Sequence, residues 1–255
     1  MLARLALRLA AVECLCPTAV ASAGPWPTIA GPRVYDSRQD PIDGLDDIEA
    51  RPLLIVYTEQ DNSQPYGSAV HKPDESIVEI VIEAMIAARG TVEIQTGAST
   101  VETLGTVESP ISDRDHEAAL DLLEAAVRRR FLGRDPDAAA TLWRKVAWEC
   151  RHVESSPMRN AERSVRIAAR TITFRVKVKS DDWSALGASG MDRLPEPLRT
   201  VANALPAGSG RDVCTWTAAR VQTVTAGSSL AGIDIYAAQN RTPTGAADAQ
   251  DKAKS

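Results

Sequence analysis

Asp36, Asp40, Asp43, Asp46 and Asp47 fall within one short stretch, and carboxylates so closely spaced are the raw material of a divalent-cation site. The spacing argues against it. A calcium loop begun at Asp36 would place Arg38 at its third position and Pro41 where glycine is required. A solvated acidic loop is the better reading. Asp46/Asp47 and Asp181/Asp182 are adjacent carboxylate pairs, but each lies in loop-like sequence without the apolar neighbours that would set one carboxyl against the other for acid–base work. His71, His116 and His152 fall in separate segments without ligand spacing, and Cys14, Cys16, Cys150 and Cys214 lack a C-x-x-C arrangement. No phosphate loop, nucleophile elbow, H-E-x-x-H or G-x-G-x-x-G occurs, and Gly208-Ser209-Gly210 reads as a plain loop. We therefore expect no catalytic residues, no cofactor and no metal, and nothing recommends an enzyme.

The residues that do form a pattern are cations on a strand. From Thr171, Ile172, Phe174, Val176 and Val178 alternate with Thr173, Arg175, Lys177 and Lys179, the period of a strand with one buried face. Before Thr171 the phase is opposite, with Val165, Ile167 and Ala169 inward. A β-bulge near Arg170–Thr171 would restore it. The repaired strand, Ser164–Lys179, would then carry Arg166, Arg170, Arg175, Lys177 and Lys179 on one face. Ser76–Ala88 is its candidate partner, because Val78, Ile80, Ile82, Ala84 and Ile86 share one side and Glu79 and Glu83 the other. Either opposite charges pair across an antiparallel ladder, worth roughly 0.2–1 kcal/mol each, or both outer faces are simply solvated.

The totals bound what can position these residues. A chain of 255 residues, 44% hydrophobic and 25% charged, can bury one sizeable core and a small second one. A net charge of −5 and 4% aromatic content argue against specific nucleic-acid binding. The amino terminus imitates a secretory signal with Ala21-Ser22-Ala23 as cleavage site, but Arg8 and Glu13 interrupt its apolar run. Leu2, Leu5, Leu9 and Val12 recur at helical spacing, so an amphipathic helix ending before Pro17 is expected. No stretch is long and apolar enough to span a bilayer.

In chain order, a Pro/Gly-rich loop with Trp26 as its anchor leads to a short strand at Arg33–Asp36. Pro52–Thr58 reads as a buried central strand, Glu59–Lys72 as a loop, and Thr91–Gln95 as a short strand turning back through Arg89-Gly90. Ser112 is the N-cap candidate of a helix carrying Leu120, Leu123, Val127 and Phe131, with Arg128–Arg130 in its last turn and Gly133 just beyond. Those arginines either complement the helix dipole or form an interaction patch. Asp137 caps a second helix reaching about Cys150, and Arg151–Ser155 continues as loop. Clustered strands with segregated helices make an α+β fold, a mixed or antiparallel sheet packed by helices on one face. After Lys179, Trp183 and scattered leucines among glycines and prolines suggest an extended arm or small appended lobe over 181–238, with 239–255 disordered. Arg211–Val224 could be helix or strand, and Ile233 and Ile235 are strand-like.

VYDSR at Val34–Arg38, PLLIVYT at Pro52–Thr58, VEIVIEAMIAA, the helix DHEAALDLLEAAVRRRF and the closing RIAARTITFRVKV strand follow the first helix in an order that resembles the tail-terminator (minor tail protein U-like) proteins of long-tailed phages, prophages and gene-transfer-agent tail modules. The resemblance covers residues 1–180. It implies a structural virion protein of the tail or neck, assembled in the host cytoplasm. Its implied partners are itself, as a hexameric ring that caps the tail tube, then the tail-tube protein and the head-completion or connector protein, with no membrane. Asp36, Asp40, Asp43, Asp46, Arg166, Arg170, Arg175, Lys177, Lys179 and Trp183 are the candidate interface residues. The alternatives are another neck component such as a head-tail adaptor, or a secreted or periplasmic binding protein.

Overall fold

Alternating apolar residues build a sheet, and a computed structural model shows how it is assembled; it describes residues 2–37, 50–63, 75–95, 101–108, 110, 112–160, 165–184, 186–187 and 189–221. Among them are β1 (Val34–Asp36), β2 (Arg51–Ser63), β3 (Glu75–Gln95), β4 (Val101–Glu108), β5 (Glu149–Asn160) and β6 (Val165–Lys179). The sheet runs β1-β2-β3-β6-β5, and β4 pairs with β3 off that path. β1 is parallel to β2 and the other pairings are antiparallel, so the sheet is mixed.

The inner face carries Leu54 and Val56 of β2, Val78, Ile80, Ile82 and Ala84 of β3, and Ile172, Phe174, Val176 and Val178 of β6. Helices α1 (Leu2–Leu15), α2 (Arg114–Leu132), α3 (Ala138–Val146), α4 (Leu198–Ala204) and α5 (Ser209–Arg220) contribute to the same core, giving an α+β fold with helices on one face. Each fully buried Leu, Ile or Phe there stabilises by roughly 1.5–3 kcal/mol. Trp143 stacks on Phe131 with centroids 4.1 Å apart, and Phe131 meets Phe174 edge-on at 5.1 Å. Leu53, Ile55 and Ala87 form a smaller buried cluster with Tyr35, Tyr57 and Met85. Their parity in β2 and β3 is opposite to that of the main core, which is why Pro52–Thr58 reads as near-continuously apolar.

α1 is buried around more of its circumference than Leu2, Leu5, Leu9 and Val12 foretell: Ala3, Ala6, Leu7, Ala10, Ala11, Cys14 and Leu15 are all inside. Its first amides are capped from far away. The Asp181 carboxylate accepts from the amides of Leu2 (2.8 Å) and Ala3 (2.7 Å), at the positive end of the helix. Leu194, Leu198, Val201, Ala202 and Leu205, all beyond Lys179, join the same core. Ser209–Arg220 is helical, while 222–255, with the expected tail, lies outside the described residues.

Five local expectations need correction. Asp113, not Ser112, caps α2: its Oδ1 accepts from the amides of Asp115 (3.0 Å) and His116 (2.8 Å), and an ionised acceptor suits a helix N-terminus better than a hydroxyl. Asp137 does cap α3, but that helix ends at Val146. The segment from Glu149 is strand β5 rather than helix end and loop. β3 runs on to Gln95 without turning at Arg89-Gly90, and Glu59–Ser63 continues β2. Finally, no bulge falls at Arg170–Thr171: the register of β6 with β3 is unbroken from Met85↔Ala169 to Glu75↔Lys179. Against β5 the ladder is irregular twice: β5 carries an extra residue between Cys150 and His152, whereas between the pairs Pro157↔Arg170 and Arg159↔Arg166 the longer side is β6.

Candidate functional site

Unbroken register in β6 puts Arg170 on the inner face, opposite to Arg175, Lys177 and Lys179. Arg170 reaches α2 instead of the sheet surface. Its guanidinium donates to Asp121 (2.7 Å), Glu124 (2.8 Å) and Glu117 (3.2 Å), three carboxylates on successive turns of one helix. Glu124 also accepts from Ser155 Oγ at 2.8 Å and pairs with Arg128. Burial alone would raise the Glu124 carboxyl, but hydrogen bonds from Arg170, Ser155 and Arg128 outweigh it and hold the group below the usual range. This network ties α2 to β6 and β5.

A second internal network forms at the end of α2. Arg130 is buried; its Nε donates to the Cys14 carbonyl (3.0 Å), Nη1 to Asp135 (3.0 Å) and Asp137 (2.6 Å), and Nη2 to Asp137 (3.0 Å). The same guanidinium thus completes the C-terminus of α1 and the cap of α3. Of the three arginines in that turn, one is neither a dipole complement nor a surface patch but a tie between three helices. Gly133 must be glycine beside it, because a Cβ there would run into the Arg129 carbonyl oxygen.

The outer side of β6 is different. Arg175 Nε pairs with Glu79 Oε1 at 2.8 Å in the expected antiparallel register, Glu79↔Arg175. Glu83 opposes Thr171 instead and accepts from the Tyr57 hydroxyl at 2.8 Å. Burial foremost, then that hydrogen bond, pushes the Tyr57 phenol upward. Trp148, one residue before β5, donates its amide to the Lys177 carbonyl at 2.9 Å and lays its ring beside two ammonium groups. Lys179 Nζ is 4.6 Å and Lys177 Nζ 5.8 Å from the ring centroid, within cation–π reach. The sequence holds five tryptophans. Trp143 is buried, whereas Trp26, Trp148, Trp183 and Trp216 are 41–57% exposed.

Among the other candidates, Asp36 ends β1 and takes Arg8 Nε at 2.6 Å. Asp40, Asp43 and Asp46 lie outside the described residues, as does the side chain of Arg166. Trp183 is exposed just after β6, beside the Asp182–Glu196 bridge. Trp148 is the residue that sequence reasoning passed over, since VAWEC gives it no local pattern that sets it apart.

Chemistry is thin elsewhere. No group of three or more His, Cys, Asp or Glu among the described residues could hold a metal ion. His116 Nδ1 lies 3.2 Å from Asp113, the cap of its own helix, and the cysteines are free thiols. A groove of about 640 Å³ lies between the Pro17–Pro27 segment, α3 and Pro206, with Trp26, Val20 and Leu142 among its walls. The carboxylates at its margin, Asp135 and Asp137, already accept from Arg130. No protein-family model matches the chain, and no curated protein matches it in sequence.

Proposed function

We propose that this protein is a non-enzymatic assembly subunit of a phage-type tail, the terminator whose ring caps the tail tube and joins it to the head connector. The observation that carries this reading is a pair of hairpin ladders leaving the helix-packed sheet at one end. β3 pairs with β2 only as far as Ala87, then continues from Ala88 to Gln95 against β4. β5 and β6 likewise pair beyond Met85↔Ala169, the last β3–β6 pair, out to Asn160↔Val165. A two-stranded ladder is marginally stable by itself in water, so such extensions gain most where a neighbour completes them.

The sheet edges support a closed assembly rather than a fibre. β5 is an outer strand carrying Pro157 and two register shifts, features that blunt open-ended strand addition. β1 is three residues long. Contacts then fall to side chains, and a heterologous side-chain contact can close into a ring. The ordered pattern of helix, strands, helices and closing strand agrees with the family resemblance. Light scattering after size-exclusion chromatography, on the full-length chain alone and with tail-tube protein, tests the reading. A ring-sized oligomer, or a monomer that becomes one with tube protein, is expected. A monomer indifferent to tube protein would overturn it.

A further inference from the structure

α2 has two apolar faces, and the core uses only one. Leu120, Leu123, Val127 and Phe131 are buried on that side. On the opposite side Ala118, Leu122, Ala125, Arg129 and Leu132 follow one another at spacings of four, three, four and three, the seam spacing of a helix that packs along another helix. All five are exposed. Leu122 is 56% and Leu132 50% exposed, and among the described residues no other leucine is open to that degree. From residue 118 to residue 132 the stripe runs about 21 Å along the helix. It also has a direction, because Asp115 and Asp121 lie at its amino-terminal end and Arg128 and Arg129 at the other. Asp121 and Arg129 each have a partner in their own chain, Arg170 and Asp135, yet their side chains remain 69% and 75% exposed. That order complements the helix dipole, and it makes the stripe self-complementary toward a reversed copy of itself.

We infer that this stripe docks on the α2 of a second copy, antiparallel, with the two-fold axis at Ala125. In that register Ala125 meets its own counterpart, a residue small enough to let the two helices approach closely. Ala118 lies against Leu132 of the second copy, and Leu122 falls between its Ala125 and Arg129, so each large side chain meets a small one. Asp121 lies against Arg129 of the second copy. A parallel pairing would instead bring Asp121 to Asp121 and Arg129 to Arg129, which repel. An isologous contact is satisfied by two copies, so it is separate from the heterologous contacts of the proposed ring and does not depend on them. One helix pair is smaller than a standard interface, so the association should be weak and reversible on dilution.

The test is directional cross-linking in full-length protein carrying Cys16→Ser and Cys150→Ser, which leaves only the buried Cys14 and Cys214 of the native thiols. With copper–phenanthroline as oxidant, Ala125→Cys should link to its own kind. Ala118→Cys alone and Leu132→Cys alone should not, whereas their one-to-one mixture should give the mixed dimer. Self-linking of Ala118→Cys as efficient as that of Ala125→Cys would overturn the antiparallel register. In sedimentation velocity, Leu122→Glu with Leu132→Glu should lower the pairing constant roughly ten-fold or more. Both positions are exposed, so the melting temperature should hold and report that the variant is folded. If wild type pairs and this variant pairs equally well, the inference fails. Ring-sized assembly that survives in the variant while two-fold pairing is lost supports the inference and leaves the ring reading standing. A wild-type chain that stays monomeric at every concentration overturns the second-copy assignment; loss of tube-protein binding in the glutamate variant would then give the stripe to that partner.

Discussion

Arg170 and Arg175 stand five residues apart on the same strand and lead opposite lives. Arg170, on the covered face, is held by Glu117, Asp121 and Glu124 of α2. Arg175, on the outer face, is half exposed and pairs with Glu79. The covered face uses its charges to orient helices, and few are left to recognise anything else. The outer face keeps cations and a tryptophan at a sheet edge, where internal stability gains little from them. Helix-binding charge and exposed charge are thus separated by a single parity step along β6.

That separation can be broken from the inside first. Phe174→Ala removes a fully buried ring packed on Phe131 and should cost about 3–5 kcal/mol, seen as a lower denaturant midpoint. Arg130→Met should cost roughly 3 kcal/mol, since it strands the Cys14 carbonyl and frees the α3 cap; the matching loss of α3 protection would show in amide exchange.

Arg170→Met should cost about 1–2 kcal/mol and change the acid limb of the stability curve. The Glu124 carboxyl titrates lower in the folded than in the unfolded chain. Its stabilisation is therefore complete above the ordinary value of 4.5 and is lost as pH falls through the folded value. In Arg170→Met the acid limb should be shallower, as chemical denaturation between neutral and acidic pH would record. An equal slope in both proteins would remove Arg170 as the cause.

On the outer face Arg175→Ala should change stability by less than about 0.5 kcal/mol, as exposed ion pairs usually do, so any larger loss would erase the contrast. The cysteines give the mildest test. Burial pushes the Cys14 thiol up to about 12 and the Cys214 thiol up to about 11. Native protein at pH 8 should alkylate at the partly exposed Cys16 and Cys150 first, followed by peptide mass spectrometry.

The legible parts of the fold were those where one signal dominated. β3 and β6 are written in apolar alternation, β2 in a near-continuous apolar run and α2 and α3 in caps and helical spacing, and of the two readings left open for the outer face the structure shows one ion pair, Glu79–Arg175. β5 was illegible because ECRHVESSPMRN is an outer strand with little apolar alternation and a proline, and its order comes from the ladder with β6. The expected bulge answered a real change of phase in the sequence, and the ladder with β5 is irregular a few residues earlier, between Arg166 and Arg170 of β6. What the chain alone did not show is that an arginine could be wanted inside, because its three partners lie 46–53 residues away. Trp148 was missed for the same reason: its significance arises only when β5 docks on β6 and brings it over the lysines.

The Asp181 carboxylate that closes the amino end of α1 has a consequence for the order of events during synthesis. α1 is synthesised about 180 residues before its cap, a wait of roughly 10–40 s at common translation rates. Throughout that interval the positive end of the helix is without its carboxylate, although β1, β2 and β3 are synthesised earlier. The end of α1 is therefore left to fray until the residues after β6 emerge, so its first turn should be the last part of the helix to gain protection as the chain grows.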